Sequence, residues 1–371
     1  MFGLRKEDGL KLYARKVLIQ EYNRDLLPEY FSFVQGVVDS EDLPLNVSRE
    51  SVQSNRVMGQ LKKLVTSKVL DTLRKLAADN PEKYSQFWEA YGRFLKQGVA
   101  IEQEEPQELY PLLRFRATPG QQDGSNPWIS LDEYIERMQP GQEQIYYIIG
   151  DDEHSVLYSP HLDLVRQAGY PVLLMTDPLD AFMLVRMHTY RDRQLANVAE
   201  ADLPLPEAPE EQGESPAEQQ ADFAGLIQRI ERQLGEKVGG VRLTRRLTES
   251  PARLVDPEGA LNAERPRVLR LLNQEFQAPA KILEINPGHP ILQRLNGLPE
   301  DSPLAALVIE QVYEDALLIE GLHPDPAGMI RRIQQLMQAA LGAPLSAPGE
   351  AAGDSPGSNE PADSEQEGNA E

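Results

Sequence analysis

Cysteine is missing altogether from the 371 residues, which excludes disulfides, a cysteine nucleophile and cysteine-based zinc sites. No run of 18 apolar residues occurs, and the first residues, MFGLRKEDGLKLY, lack the apolar stretch of a signal peptide. No membrane contact is predicted, and a cytoplasmic location is the expectation. The GxxxxGK, GxGxxG and HExxH patterns are missing too. The histidines His154, His161, His188, His289 and His323 are scattered, without carboxylates at metal-ligand spacing, and read as surface or internally satisfied residues. One GxSxG match, Gly353 to Gly357, sits in a segment of Ala, Pro, Gly, Ser and Glu. A nucleophile elbow needs a strand before it and a helix after it, so this match carries no chemistry.

The charge is uneven. The net value is -22, yet Glu200 to Asp222 holds eight acids and Glu350 to Glu371 seven, with no Lys or Arg in either. These two segments supply 15 of the 22 charges and leave about -7 for the rest. The acidity is mainly that of a linker and a tail; it favours solubility and no nucleic-acid partner.

Residues 10 to 19 and 32 to 39 are rich in Val, Leu, Ile and aromatics and read as strands. Val57, Leu61, Val65, Val69, Leu73 and Leu76 fall at helical spacing along one stripe. The next helix is bracketed by Asn80 with Pro81 and by Gly98, and carries a core row of Tyr84, Phe87, Tyr91 and Phe94. After a polar loop at 120 to 126, strand 145 to 149, a helix from Ser159-Pro160 to Gly169 and strand 171 to 175 form a parallel crossover unit. Its Gly150-Asp151-Asp152 turn has no glycine-rich phosphate fingerprint.

Residues 200 to 222 read as an extended, disordered linker. A helix with Phe223, Leu226, Ile227, Ile230 and Leu234 follows, then strands at VRLTRRL, ARLV and KILEIN. The helix predicted at 266 to 276 shows Val268, Leu269, Leu271, Leu272 and Phe276, more apolar width than one buried stripe needs. It is either core or a holding surface. The last two helices, 303 to 322 and 325 to 341, carry Leu304, Leu307, Val308, Val312, Leu317 and Leu318, then Ile330, Ile333, Leu336, Met337 and Leu341. That exceeds what a lone hairpin buries; either the preceding sheet or a two-fold partner completing a four-helix bundle must cover it.

The stretch Leu43 to Gln53 turns an extended segment into a helix, with Ser48 at its start and Arg49 and Gln53 on one helical face. A cation in the first turn opposes the helix dipole unless an anion stands in front of it. Arg49 pairs either with Asp39, Glu41 or Asp42, or with an external phosphate or carboxylate.

The string VVDSEDLPLNVSRE at 37 to 50 resembles the ninety-kilodalton heat-shock chaperones of bacterial HtpG type. So do LLRF at 112 to 115, SLDEYIERM at 130 to 138, IYYI at 145 to 148, SPHLDLVRQAGYPVLLMTDPLD at 159 to 180 and LTESPA at 247 to 252, in the same order. The resemblance covers residues 10 to 342 and implies the middle and carboxy-terminal portion of an ATP-dependent, stress-induced chaperone. The nucleotide-binding domain and the first part of the middle domain are expected to be missing, leaving an exposed edge on the first sheet. It implies that Arg49 and Gln53 contact the γ-phosphate of ATP held with magnesium by a separate amino-terminal domain, with Asn46 and Ser48 holding the loop. ATP hydrolysis is then expected of the complete protein and not of this chain alone. The resemblance also points the helix at 266 to 276 at unfolded client proteins and makes the last hairpin the homodimer interface. The peptide MEEVD does not end the sequence, so the cochaperones that read it are not implied.

The implied fold is multidomain, α/β and α+β. It comprises a partial first α/β subdomain (1–78), a helical connector (79–115), a second small α/β subdomain (116–199), the acidic linker (200–222), an α+β dimerisation domain (223–342) ending in a helical hairpin, and an acidic tail (343–371). An ATP-independent dimeric holding fragment, or one that forms mixed dimers with a full-length homologue, is the alternative.

Overall fold

In the computed structural model the described residues are 9–43, 56–102, 106–119, 127–200, 203, 216–256, 268 and 280–342. They form a mixed α/β structure with three sheets. No helix among them is long and apolar enough to cross a membrane.

Strands β1 (Leu10–Ala14), β2 (Val17–Asn23) and β3 (Gly36–Ser40) make a sheet of order β2-β1-β3. β2 runs antiparallel and β3 parallel to β1. The predicted single strand over residues 10 to 19 is corrected to two arms and a turn. Arg15 and Lys16 take φ of 50° and 67°, the left-handed geometry of a two-residue hairpin turn. The end of β3 holds the turn: Lys16 N–H donates to Asp39 Oδ1 at 3.2 Å and Arg15 Nε to the Glu41 carbonyl at 3.2 Å.

Helix α1 (Arg56–Asp79) turns Val57, Leu61, Val65, Val69, Leu73 and Leu76 toward the same core, joined by Met58 and Leu70. Asn80 caps α2 (Pro81–Ile101), its Oδ1 accepting from Lys83 N–H at 3.0 Å. The predicted stop at Gly98 is corrected, because α2 continues to Ile101. Gly98 is an approach point instead of a terminator: a Cβ there would stand 2.7 Å from the Tyr30 ring and 2.9 Å from Leu109. Of the aromatic row, Tyr84 is buried, whereas Phe87, Tyr91 and Phe94 close around Phe33 with ring centroids 4.8 to 5.6 Å from it.

The second sheet has the order β4-β6-β5-β8-β7, from β4 (Arg116–Thr118), β5 (Ile145–Ile149), β6 (Val172–Met175), β7 (Thr189–Tyr190) and β8 (Arg193–Asn197). β5 lies parallel to both β6 and β8. Ile145, Tyr147, Leu173 and Met175 face one core, with α3 (Leu131–Arg137) and α6 (Pro178–Leu184); Tyr146, Ile148, Val172 and Leu174 face another, with α4 (Glu153–Leu157) and α5 (Asp163–Gln167). Continuous apolar runs are what a sheet covered on both faces requires. A buried ion pair, Lys96 Nζ to Asp180 Oδ1 at 2.6 Å, ties α2 to α6.

Within the third group, helices α7 (Pro216–Asp222) and α8 (Ala224–Leu234) follow one another. The linker reading over 200–222 is thereby corrected at both ends. Leu203 is buried, and the Ala, Glu and Gln of residues 217–221 are good helix formers beside α8. Strands β9 (Gly240–Leu243), β10 (Ala252–Val255) and β11 (Ile282–Ile285) form a sheet of order β10-β11-β9. Against it pack α8, α9 (Pro290–Asn296) and α10 (Pro303–Ile319), and α11 (Met329–Ala340) folds back on α10.

Tyr134 on α3 shows how the second sheet is pinned. Its hydroxyl donates to the Pro171 carbonyl at 2.6 Å and accepts from Gln142 Nε2 and Tyr146 N–H, both at 2.8 Å. Tyr134→Phe strands three buried polar groups, and a loss of about 2 kcal/mol is expected. Chemical denaturation measures it; an unchanged midpoint would contradict the assignment.

Candidate functional site

Several sequence-predicted site residues lie outside the described structure: Asn46, Ser48, Arg49 and Gln53, and with them Leu269, Leu271, Leu272 and Phe276. Val268 is helical and half-buried. The GxSxG match also falls outside. The described residues instead bring together a polar junction and an apolar face.

The junction joins the segment Ser159 to Asp163 to the third sheet and the end of α10. Pro160 starts a short turn, and Ser159 Oγ accepts from His161 N–H at 3.3 Å. The buried His161 ring places Nε2 2.6 Å from Glu320 Oε1 and Nδ1 3.4 Å from Arg253 Nη1. Arg253 Nε donates to Glu284 Oε2 at 2.7 Å and Arg242 Nε to Glu284 Oε1 at 2.9 Å. Arg253 and Glu284 face each other across the antiparallel β10–β11 pair. Arg253 is only 1% exposed, so this charge is neutralised internally and not by water.

Burial alone would raise the Glu284 carboxyl, but Arg253 and Arg242 outweigh it and hold it below the usual range. Burial likewise opposes ionisation of Glu320, and His161, then Lys281 and Arg253, overcome it and lower its pKa. Asp163, at the start of α5, accepts on one oxygen, Oδ2, from the backbone N–H groups of Thr248, Glu249 and Ser250 at 3.1, 3.1 and 3.3 Å. Arg246 Nη2 donates to the Leu203 carbonyl at 2.8 Å. Beside this network lies a cavity of about 220 Å³ bordered by Gly150, Asp151, Asp152, Lys281 and Glu320. Among the described residues no group of three His, Asp or Glu could hold a metal, and the junction pairs charges without setting a nucleophile against a base. Its capacity is mechanical: it holds two parts of the chain in one relative position.

Of the two readings the sequence leaves for each histidine, surface or internally satisfied, His161 takes the second, and its partners Arg253 and Glu320, with Asp163 and Glu284, carry no sequence motif. The available signal was a charged residue inside each of two short apolar runs, ARLV and ILEI.

The apolar face belongs to the last hairpin. On α11 only Met329 is buried, while Ile330, Ile333, Met337 and Leu341 are 56, 39, 61 and 87% exposed. Their spacing sets them on one side of the helix, and Leu318 and Ile319 at the end of α10 are exposed as well. Leu304, Leu307 and Leu336 are half-buried. Val312 is buried within its own chain, with Val308 and Leu317 packed beside it. Arg332 fixes α11 on α10 by reaching Gln311 Oε1 at 3.2 Å and pairing with Glu314.

Residues 1–370 match the family described as Hsp90 protein. Among curated proteins the chain is 38% identical over 341 residues to the chaperone protein HtpG of Chlorobium luteolum, covering 91% of this chain and 54% of that protein. It is 39% identical over 340 residues to HtpG of Halorhodospira halophila (91% and 53%), and 37% over 343 residues to HtpG of Shewanella pealeana (92% and 53%). The chain thus spans about half the length of the curated relatives it matches.

Asp163→Ala leaves three backbone donors without their shared acceptor. Amide exchange at Thr248, Glu249 and Ser250 is expected to quicken by about tenfold or more, with a loss of about 2 kcal/mol. Unaltered exchange at these three amides would remove Asp163 from the junction.

Proposed function

The chain belongs to the Hsp90 family, and from that membership we propose that it is the middle and carboxy-terminal part of a cytoplasmic molecular chaperone. It holds unfolded or partly folded proteins, works as a homodimer and, in the complete protein, runs on ATP with magnesium. The observation that carries this reading is the family match across residues 1–370, together with 38% identity over 91% of the chain to a chaperone.

In this reading the chain divides at 78, 115, 199 and 222, with a tail after 342. Arg49 reaches from its helix start to the γ-phosphate of ATP bound on a separate amino-terminal domain. Its guanidinium spreads over the charge that develops on the transferred phosphoryl group. Gln53, one turn on, assists, and Asn46 and Ser48 hold the loop. Val268, Leu269, Leu271, Leu272 and Phe276 offer apolar side chains to clients. The open apolar side of α11 supports two-fold association, because a contiguous apolar helix face left in water is a binding surface by default. That face needs no nucleotide, which favours a second reading: an ATP-independent dimeric holding module.

Turnover separates the two readings. Mixed with a separately expressed amino-terminal ATPase domain of the family, the chain is expected to stimulate ATP hydrolysis, and Arg49→Ala to remove that stimulation by about a hundredfold or more. Aggregation suppression without any stimulation would leave only the holding module. For the dimer, the double substitution Ile330→Ser, Met337→Ser is expected to weaken association at least about tenfold in sedimentation equilibrium, with little effect on the monomer's own fold. A variant that stays dimeric at the same concentration would move the interface elsewhere.

A further inference from the structure

The α1 helix carries a charge opposite to that of the chain as a whole. Its outward face presents Lys63, Lys68, Arg74 and Lys75, all exposed, against two exposed acids, Asp71 among them and Asp79 one turn beyond Lys75. Arg74 is engaged by Asp71 and the Glu108 carbonyl. Lys63, Lys68 and Lys75 make no ion pair among the described residues. In their midst Leu64 is 67% exposed, over a shallow hollow bordered by Gln60, Lys63, Leu64, Ser67, Lys68 and Asp71, whose carboxylate is turned to Arg74. A surface lysine cluster on a chain of net charge -22 will attract whatever anionic segment can reach it.

We infer that the occupant of this face is the chain's own acidic carboxy-terminal segment, residues 350–371. That segment carries seven carboxylates (Glu350, Asp354, Glu360, Asp363, Glu365, Glu367 and Glu371) and no Lys or Arg. It leaves the described structure after Gly342, just beyond α11. The 29 residues from 343 to 371 can extend to about 100 Å, enough to cross a folded part of this size. The other acidic stretch, around Glu207 to Glu214, is internal to the sequence and so tethered at both ends, between Leu203 and α7, whereas the carboxy-terminal segment is tethered at one. Each exposed pair is weak, but the tether raises the local concentration of carboxylates and makes the contact intramolecular.

The test uses the full chain and a full-length variant with the seven tail carboxylates neutralised (E350Q, D354N, E360Q, D363N, E365Q, E367Q, E371Q). Modification of Lys63, Lys68 and Lys75 by an amine-reactive ester is followed by mass spectrometry, with exposed Lys11 as the internal reference. At low salt these lysines are expected to react about threefold more slowly in the natural chain, and the difference is expected to vanish near about 0.5 M salt, where screening is strong. Zero-length carbodiimide cross-links are expected to join them to residues 350–371 of the same copy. Equal rates in the two chains would overturn the proposal. So would cross-links to residues 207–214, or cross-links exclusively between copies in a mixture of isotopically light and heavy chain.

Discussion

Strands β5 and β6 are buried on both faces, and that double burial decides where the neighbouring elements can sit. Ile145, Tyr147, Leu173 and Met175 need one cover and Tyr146, Ile148, Val172 and Leu174 another. Burying each such side chain contributes about 1.5–3 kcal/mol, far more than the five-residue helices α4 and α5 could supply for themselves. These short helices exist because the sheet needs a lid. The opposite face recruits α3 and α6, and through Lys96 and Asp180 it draws in α2. The first sheet joins the same core through Leu10 and Leu12, and the turn between β2 and β3 through Tyr30.

Where the second sheet meets the third, the contact changes character from apolar to ionic. His161, Glu320, Arg253, Glu284 and Arg242 form a chain of charge-assisted contacts, and Asp163 gathers three amides on one oxygen. Buried ion pairs add little over apolar packing of the same volume, but breaking one partner is expensive, so they select one docking geometry over its neighbours. A polar joint also differs from an apolar one in how it opens. Each charge regains water on separation, whereas separated apolar faces stay sticky.

The exposed surfaces follow the same division of labour. An apolar face runs along α11 to the end of α10, with further exposed apolar side chains at Val17, Leu18 and Val37 on the first sheet, while the positive side chains of α1 stand on another helix in another part of the chain. Neither surface is required by the core next to it. Met329 is the one buried side chain of α11, with Arg332 tied to α10, and the outward side chains of α1 could be exchanged without disturbing Met58, Leu70 or Leu73 beneath.

Much of this was legible in the amino-acid order. The α1 stripe, the Asn80-Pro81 start of α2, the all-apolar strands 145–149 and 172–175, and the apolar rows of α8, α10 and α11 depend on side-chain period and on caps within about four residues. Such features are local, so a sequence states them directly. Family membership was legible for a related reason, since motif strings are local as well. The turn at Arg15-Lys16 was not, because neither residue favours positive φ; Asp39 of β3 and Glu41 just after it hold it there. Gly98 could be told from a helix stop only once Tyr30 lay against it. Val312 and Ile330 look alike in the sequence, yet one is consumed in its own core and the other left open, according to which helices pack beside them. Arg253 and Glu284 are 31 residues apart, and His161 and Glu320 are 159 apart. Elements, charge pattern and family were therefore written in the sequence; which apolar residues stay exposed, and which charges find one another, depended on contacts between distant segments that only the folded chain brings together.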